Sequence, residues 1–353
     1  MRLFDDRDLC ALDTAESNSS VPLGSRGPQA AHGPLSAVPA PAAQLSQDGE
    51  RETVIASPPE VRKKGVAARF KFAYEISALY LGWLVFGSIC LTASFIAGFL
   101  RYVLPHKFGN RFGQQMITIV FKIFMFYLAI TGLVKCDVSA LDELKHEKGL
   151  ILAPNHPSLI DAVLVISRLP RVTCIMKAVL WDNIVLGGGS RLAGFVRNDS
   201  QPNMVRASVA ALRDGGQLLM FPEGTRTVEQ PINPLKGAIA LISKKSRAPV
   251  QTIFIQSNTD FLGKRWPTLK KPTFPLYYRV TLGKRFDPPG NDHPNGKMLS
   301  NKIFVTELDA YFRSSLTSAA SLGSPASLAL FSGESKRNDS NSSTHSPPSH
   351  LAP

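Results

Sequence analysis

In Asn155-His156-Pro157-Ser158-Leu159-Ile160-Asp161 an imidazole and a carboxylate stand five positions apart, just after an apolar run. Proline favours the first position of a helix, so Pro157 predicts His156 at a helix cap and Asp161 about one turn further in. A carboxylate placed there hydrogen-bonds the ring, fixes its tautomer and stabilises the imidazolium formed on proton uptake. This is a base with its orienting partner, and no serine or cysteine of the chain completes a triad. The nucleophile can then belong to a substrate. The plain alternative is a histidine that only caps a helix, with Asp161 answering the positive helix end.

A second polar block, Phe221-Pro222-Glu223-Gly224-Thr225-Arg226-Thr227, follows the apolar Gln217-Leu218-Leu219-Met220. Arg226 carries the planar fork that grips phosphate at two points. Gly224 lets backbone amides approach an anion or a developing oxyanion. A loop salt bridge between Glu223 and Arg226 is the alternative reading of the same residues.

Taken together, the two blocks resemble the hallmark NHxxxxD and FPEGTR motifs of the 1-acylglycerol-3-phosphate acyltransferases, the lysophospholipid acyltransferase family. Weaker blocks match in the same order: Gly194-Phe195-Val196-Arg197, Pro234-Leu235-Lys236-Gly237-Ala238 and Ala248-Pro249-Val250. The resemblance covers about 75–290. It implies that His156, held by Asp161, removes the proton of a glycerol hydroxyl, and that this oxygen attacks an acyl thioester. Neither a covalent acyl-enzyme, a metal nor a cofactor is expected. It further implies that Glu223, Gly224, Thr225 and Arg226 line the acceptor site. Arg226 and Lys177 would hold the acceptor phosphate and Glu223 would position the acceptor or the loop, with Arg197 and Lys236 as additional candidates. The implied partners are a lysophospholipid acceptor, acyl-CoA or acyl carrier protein, and the bilayer. The expected product is phosphatidic acid, with acylation of another lysolipid, such as a lyso-amino-acid lipid, or a non-catalytic scaffold as alternatives.

The elements that must position these residues read as α/β. Gly149–Ala153, Gln217–Phe221, Val250–Gln256 and Tyr278–Leu282 are apolar strands, and helices are predicted over 161–167, 203–213 and 236–245. Alternation of this kind gives a mainly parallel sheet with helices on both faces, whose ligands gather at the carboxyl ends of the strands. The glycine-rich Leu186-Gly187-Gly188-Gly189-Ser190 reads as a mobile loop over the acceptor or a plain turn. The basic and aromatic stretch after Asn258 could meet lipid headgroups or an acidic carrier. Leu299–Leu316 has apolar residues at helical spacing, including Ile303, Phe304, Leu308 and Phe312, and is expected to pack on the sheet.

Ahead of this domain lie two apolar runs. Ile76–Leu100 is uncharged and long enough to cross a bilayer. Met116–Val134 is shorter and interrupted by Lys122. Arg62, Lys63, Lys64, Arg69 and Lys71 precede the first run and favour a cytoplasmic N-terminal side. Arg101, Lys107 and Arg111 between the runs sit better in a hairpin that dips into one leaflet. In either topology the catalytic region faces the cytoplasm, at the inner membrane if the cell is bacterial.

The expected organisation is therefore a disordered tail over 1–60, anchoring helices over 61–135, an acyltransferase domain over 136–317 and a disordered tail over 318–353. Residues 1–60 hold four arginines against nine carboxylates, a net of −5, so the rest of the chain carries +18 of the total +13. A basic body suits an anionic membrane or a phosphate-bearing substrate. Nucleic acid is not expected, since no recognition motif accompanies the charge. The four cysteines are scattered and read as structural thiols.

Overall fold

The computed structural model describes residues 65–267, 270–290 and 300–322. The expected tails lie outside these, apart from 318–322, which continue the last helix.

Two antiparallel helices come first, α1 (Val66–Val103) and α2 (His106–Ile130). They form a hairpin in which Tyr127 donates its hydroxyl hydrogen to the Ala78 carbonyl and Phe86 packs on Phe124. Both helices are long and apolar enough to cross a membrane. Much of their apolar surface is exposed, with Phe70, Leu84, Phe95 and Phe99 on α1 and Phe126 and Ile130 on α2. Apolar side chains left outside a core on this scale mark a surface that faces something other than water.

The sheet follows. Its strands are β1 (Val134–Asp137), β2 (Leu150–Pro154), β3 (Val172–Lys177), β4 (Val196–Asn198), β5 (Gln217–Leu219), β6 (Val250–Ser257) and β7 (Leu276–Phe286), in the order β1-β7-β6-β2-β5-β3-β4. Every pairing is parallel except β6 with β7. Alternate side chains of β2 enter opposite cores, Leu150 and Leu152 one and Ile151 and Ala153 the other. On the first face lie α1, α2 and α3 (Ile160–Arg168). On the second lie α6 (Gln201–Arg213), α7 (Ala238–Ser246) and α8 (Asn301–Leu322). Phe304, Leu308 and Phe312 of α8 are fully buried there, while Ile303 points outward.

Several sequence expectations need correction. Strands β1, β3 and β4 were not anticipated, and the expected strand Tyr278–Leu282 is the longer, antiparallel β7. Helix α3 starts at Ile160 rather than at Pro157, so His156 lies ahead of the bend at 157–158 and does not cap the helix. The glycine-rich segment is neither a loop nor a turn. After the short α4 (Ala178–Trp181) it forms helix α5 (Gly187–Leu192), whose glycines are buried, Gly188 and Gly189 against the hairpin and Gly187 against Trp181. A Cβ on Gly188 would overlap the Ser94 carbonyl oxygen of α1, so only glycine permits this approach.

Candidate active site

Strands β2 and β5 are parallel neighbours, so the two polar blocks that follow them emerge side by side at one sheet edge. Asn155 first extends β2 by imitation. Its side-chain amide donates to the Ile255 carbonyl at 3.0 Å, and its oxygen accepts from the Ile255 N–H at 2.7 Å. The chain then bends, and His156 Nδ1 meets Asp161 Oδ2 at 2.9 Å. That carboxylate oxygen also accepts the Ser158 N–H at 2.7 Å. Asp161 is completely buried, and its Oδ1 has no hydrogen-bond partner among the described residues. Burial raises its carboxyl above the usual aspartate range, and the bond to His156 opposes the rise.

The second block holds the first chiefly through main-chain atoms. Glu223 Oε1 accepts the His156 N–H at 2.8 Å and the Thr227 hydroxyl at 2.8 Å, and its Oε2 accepts the Asn233 N–H at 3.0 Å. From the other side the Thr227 N–H donates to the His156 carbonyl at 2.7 Å. His156 is thus gripped at both of its peptide groups. Its ring lies flat on Phe221, with centroids 3.7 Å apart and planes at 19°. Glu223 is nearly fully buried, which raises its carboxyl above the usual glutamate range despite three donors. Gly224, at φ +70°, turns the loop, and a Cβ there would press on the Lys236 stem at 3.3 Å.

Arg226 faces a third segment. Its Nη1 donates to the carbonyls of Leu262 and Gly263, each at 3.0 Å. Ser158 reaches the same turn, its hydroxyl donating to the Phe261 carbonyl at 2.7 Å. The stretch after Asn258 is therefore fastened to both motif blocks at once.

The structure brings His156, Asp161, Glu223, Gly224, Arg226 and Lys236 together, with Thr225 half-buried at the rim. Lys177 ends β3, and Arg197 is the middle residue of β4, paired with Met176 just before Lys177. By strand order they stand two and three spacings from β2, about 10 and 14 Å. Arg197 pairs with Asp182 at 2.6 Å and Asp199 at 3.1 Å. The supporting roles of Asn155, Ser158, Phe221, Thr227 and Asn233 were not foreseen. Four of these lie inside the motif blocks, but only tertiary contact reveals what they hold.

The acyltransferase family model matches residues 135–256. A 1-acyl-sn-glycerol-3-phosphate acyltransferase of Brassica napus, chloroplastic BAT2, is 26% identical over 147 residues, which is 40% of this chain and 42% of that protein. The chain thus matches less than half the length of that relative. In fold it is similar to the crystal structure of the 1-acyl-sn-glycerophosphate (LPA) acyltransferase PlsC from Thermotoga maritima. The TM-score is 0.50 at 16% identity, over 72% of this chain and 99% of that one.

Proposed function

We propose, from the match of residues 135–256 to the acyltransferase family model, a membrane-bound O-acyltransferase that makes phosphatidic acid from 1-acyl-glycerol-3-phosphate and an acyl thioester. The donor is acyl-CoA or acyl carrier protein. The observation that carries the reading is the 2.9 Å contact between His156 Nδ1 and the buried Asp161. It engages one ring nitrogen and leaves Nε2 as the atom that takes a proton.

The acceptor hydroxyl gives its proton to Nε2 as its oxygen bonds to the thioester carbonyl carbon. The carbonyl electrons move to oxygen, and the tetrahedral oxyanion collapses with cleavage of the C–S bond. The leaving thiolate recovers the proton from the imidazolium, which restores the base. Asp161 stabilises the imidazolium between these steps.

Two features support association with one leaflet. The exposed apolar face of the hairpin needs lipid. Yet Ser94, deep in the run Ile76–Leu100, donates its hydroxyl to the Val185 carbonyl and packs on Gly188. A helix whose middle is seated on the catalytic domain is poorly placed to cross straight through the bilayer. A dipping hairpin keeps the domain on the cytoplasmic side with Arg101, Lys107 and Arg111.

A second acceptor class has one observation in its favour. Nη1 of Arg226 is committed to loop carbonyls, so this guanidinium is not devoted wholly to phosphate. Other lysolipids then remain substrates to compare.

The test is thiol release from acyl-CoA and acyl carrier protein by the full chain in detergent, across a panel of lysolipids. Release should require the lysolipid, be fastest with 1-acyl-glycerol-3-phosphate, and fall by about 10² to 10⁴-fold in His156→Ala. Undiminished turnover in that variant would overturn the assigned base.

A further inference from the structure

Helix α1 has 38 residues and a single carboxylate, Glu75, placed immediately before its uncharged run. A lone acid in such a helix is costly unless it is paired, and it marks a role to be found. Its partner lies 196 positions away. Lys271 Nζ stands 2.6 Å from Glu75 Oε2, with both side chains more than four-fifths buried. The ammonium also rests between Phe72 of α1 and Phe274, at 5.0 and 5.4 Å from their ring centroids. Lys71, at 3.9 Å, is mostly exposed and contributes little to this pair.

From Lys271 a continuous set of contacts leads to the base. The neighbouring Lys270 carbonyl accepts the Trp266 indole N–H at 3.0 Å. The Trp266 N–H donates to the Gly263 carbonyl, the same oxygen that accepts from Arg226. Trp266 packs edge-on against Phe261, whose carbonyl accepts the Ser158 hydroxyl. The Ser158 N–H donates to Asp161 Oδ2, which holds His156. The Leu159 N–H adds a bond to the Leu262 carbonyl. Each link is a packed or hydrogen-bonded contact, and the first is an ion pair whose disruption strands a buried charge.

We infer that Glu75 and Lys271 are positioning residues for the acyl-transfer site: their ion pair ties the β6–β7 loop to α1, so that the seating of the anchor helix sets the geometry of His156 and Asp161. The inference rests on the acyl-transfer reading. The pair touches no reacting atom and acts through the loop, Ser158 and Arg226. It gives the basic stretch after Asn258 a purpose that the motifs alone do not supply.

The test uses the full chain in detergent, with Glu75→Gln, Lys271→Met and the exchanged pair Glu75→Lys with Lys271→Glu. Each single variant should lower kcat about tenfold, the scale on which remote residues modulate a site, with little change in KM for the thioester. Amide hydrogen exchange over 259–266 should quicken in both. The exchanged pair should recover both kcat and protection. Unchanged exchange over 259–266 in folded single variants would overturn the inference, as would equal losses in the single and exchanged forms. Exchange is read without turnover, so a wild-type chain that fails to release thiol would sink the acyl-transfer reading while leaving the brace still to be decided by exchange.

Discussion

Glu223 shows how a motif residue and its general task, positioning the acceptor or the loop, can be legible in sequence while its contacts are not. Acid, glycine and arginine in one loop pointed to a substrate site, and the acid turned out to grip the His156 peptide. Removing it leaves the N–H groups of His156 and Asn233 and the Thr227 hydroxyl without their acceptor, at about 1–3 kcal/mol for each group that stays buried. Glu223→Ala should therefore lower both Tm and kcat, with KM for the donor less affected, in thermal unfolding and steady-state assays. The pH dependence follows from burial, which raises the folded carboxyl above its unfolded value. The stability it contributes is complete below the unfolded value and declines as pH rises through the raised one. Glu223→Gln has nothing to titrate there, so its Tm should fall less than the wild type's over that window. Parallel curves for the two proteins would refute this origin.

At the scale of elements, sequence patterns worked where an element buried its own apolar run. Strands β2 and β6 and helix α8 were found this way. They failed where pairing or packing defines the element. β1 reads Val-Lys-Cys-Asp and β4 only Val-Arg-Asn, and both exist because a neighbouring strand supplies hydrogen bonds. Helix α5 was misread because glycine disfavours helices by about 1 kcal/mol, a preference overridden here by close packing on α1. That packing makes a sharp comparison. Gly188→Ala sets a methyl against the Ser94 backbone, 2.8 Å from Ser94 Cα, whereas Gly189→Ala meets nothing nearer than Met116 Cε at 3.7 Å. Thermal unfolding in detergent should show a loss of about 1–3 kcal/mol for the first, and none or a gain for the second. Equal effects would mean that α5 is not seated as described.

For the whole molecule the open contest was between a hairpin that spans and one that dips. Composition left both standing, because length and charge do not say what lies beside a helix. The seating of α1 on α5 favours the dip. Lys107→Cys, in a background lacking the other cysteines, places a thiol at the hairpin turn. In vesicles with the catalytic domain outside, an impermeant maleimide added outside should label it. Protection from the outer reagent, with labelling only from the lumen, would establish a spanning hairpin.

The long reach of these contacts has a consequence for how the protein is made. Ser94 waits for Val185, 91 positions later, and Ser158 for Phe261, 103 positions later. Among the described residues strand β1 finds its sheet neighbour in β7, and Glu75 finds Lys271 close by in the same late segment. During synthesis from the N-terminus the hairpin leaves the ribosome long before the surfaces that cover it. On the proposed membrane-bound reading lipid covers the hairpin at that stage, so membrane capture should precede completion of the sheet. The base pair of the site is in place early in the chain, but the loop that holds it steady arrives near the end. A nascent chain halted before β7 would carry both motif blocks and still lack the strand that joins β1 to the rest of the sheet.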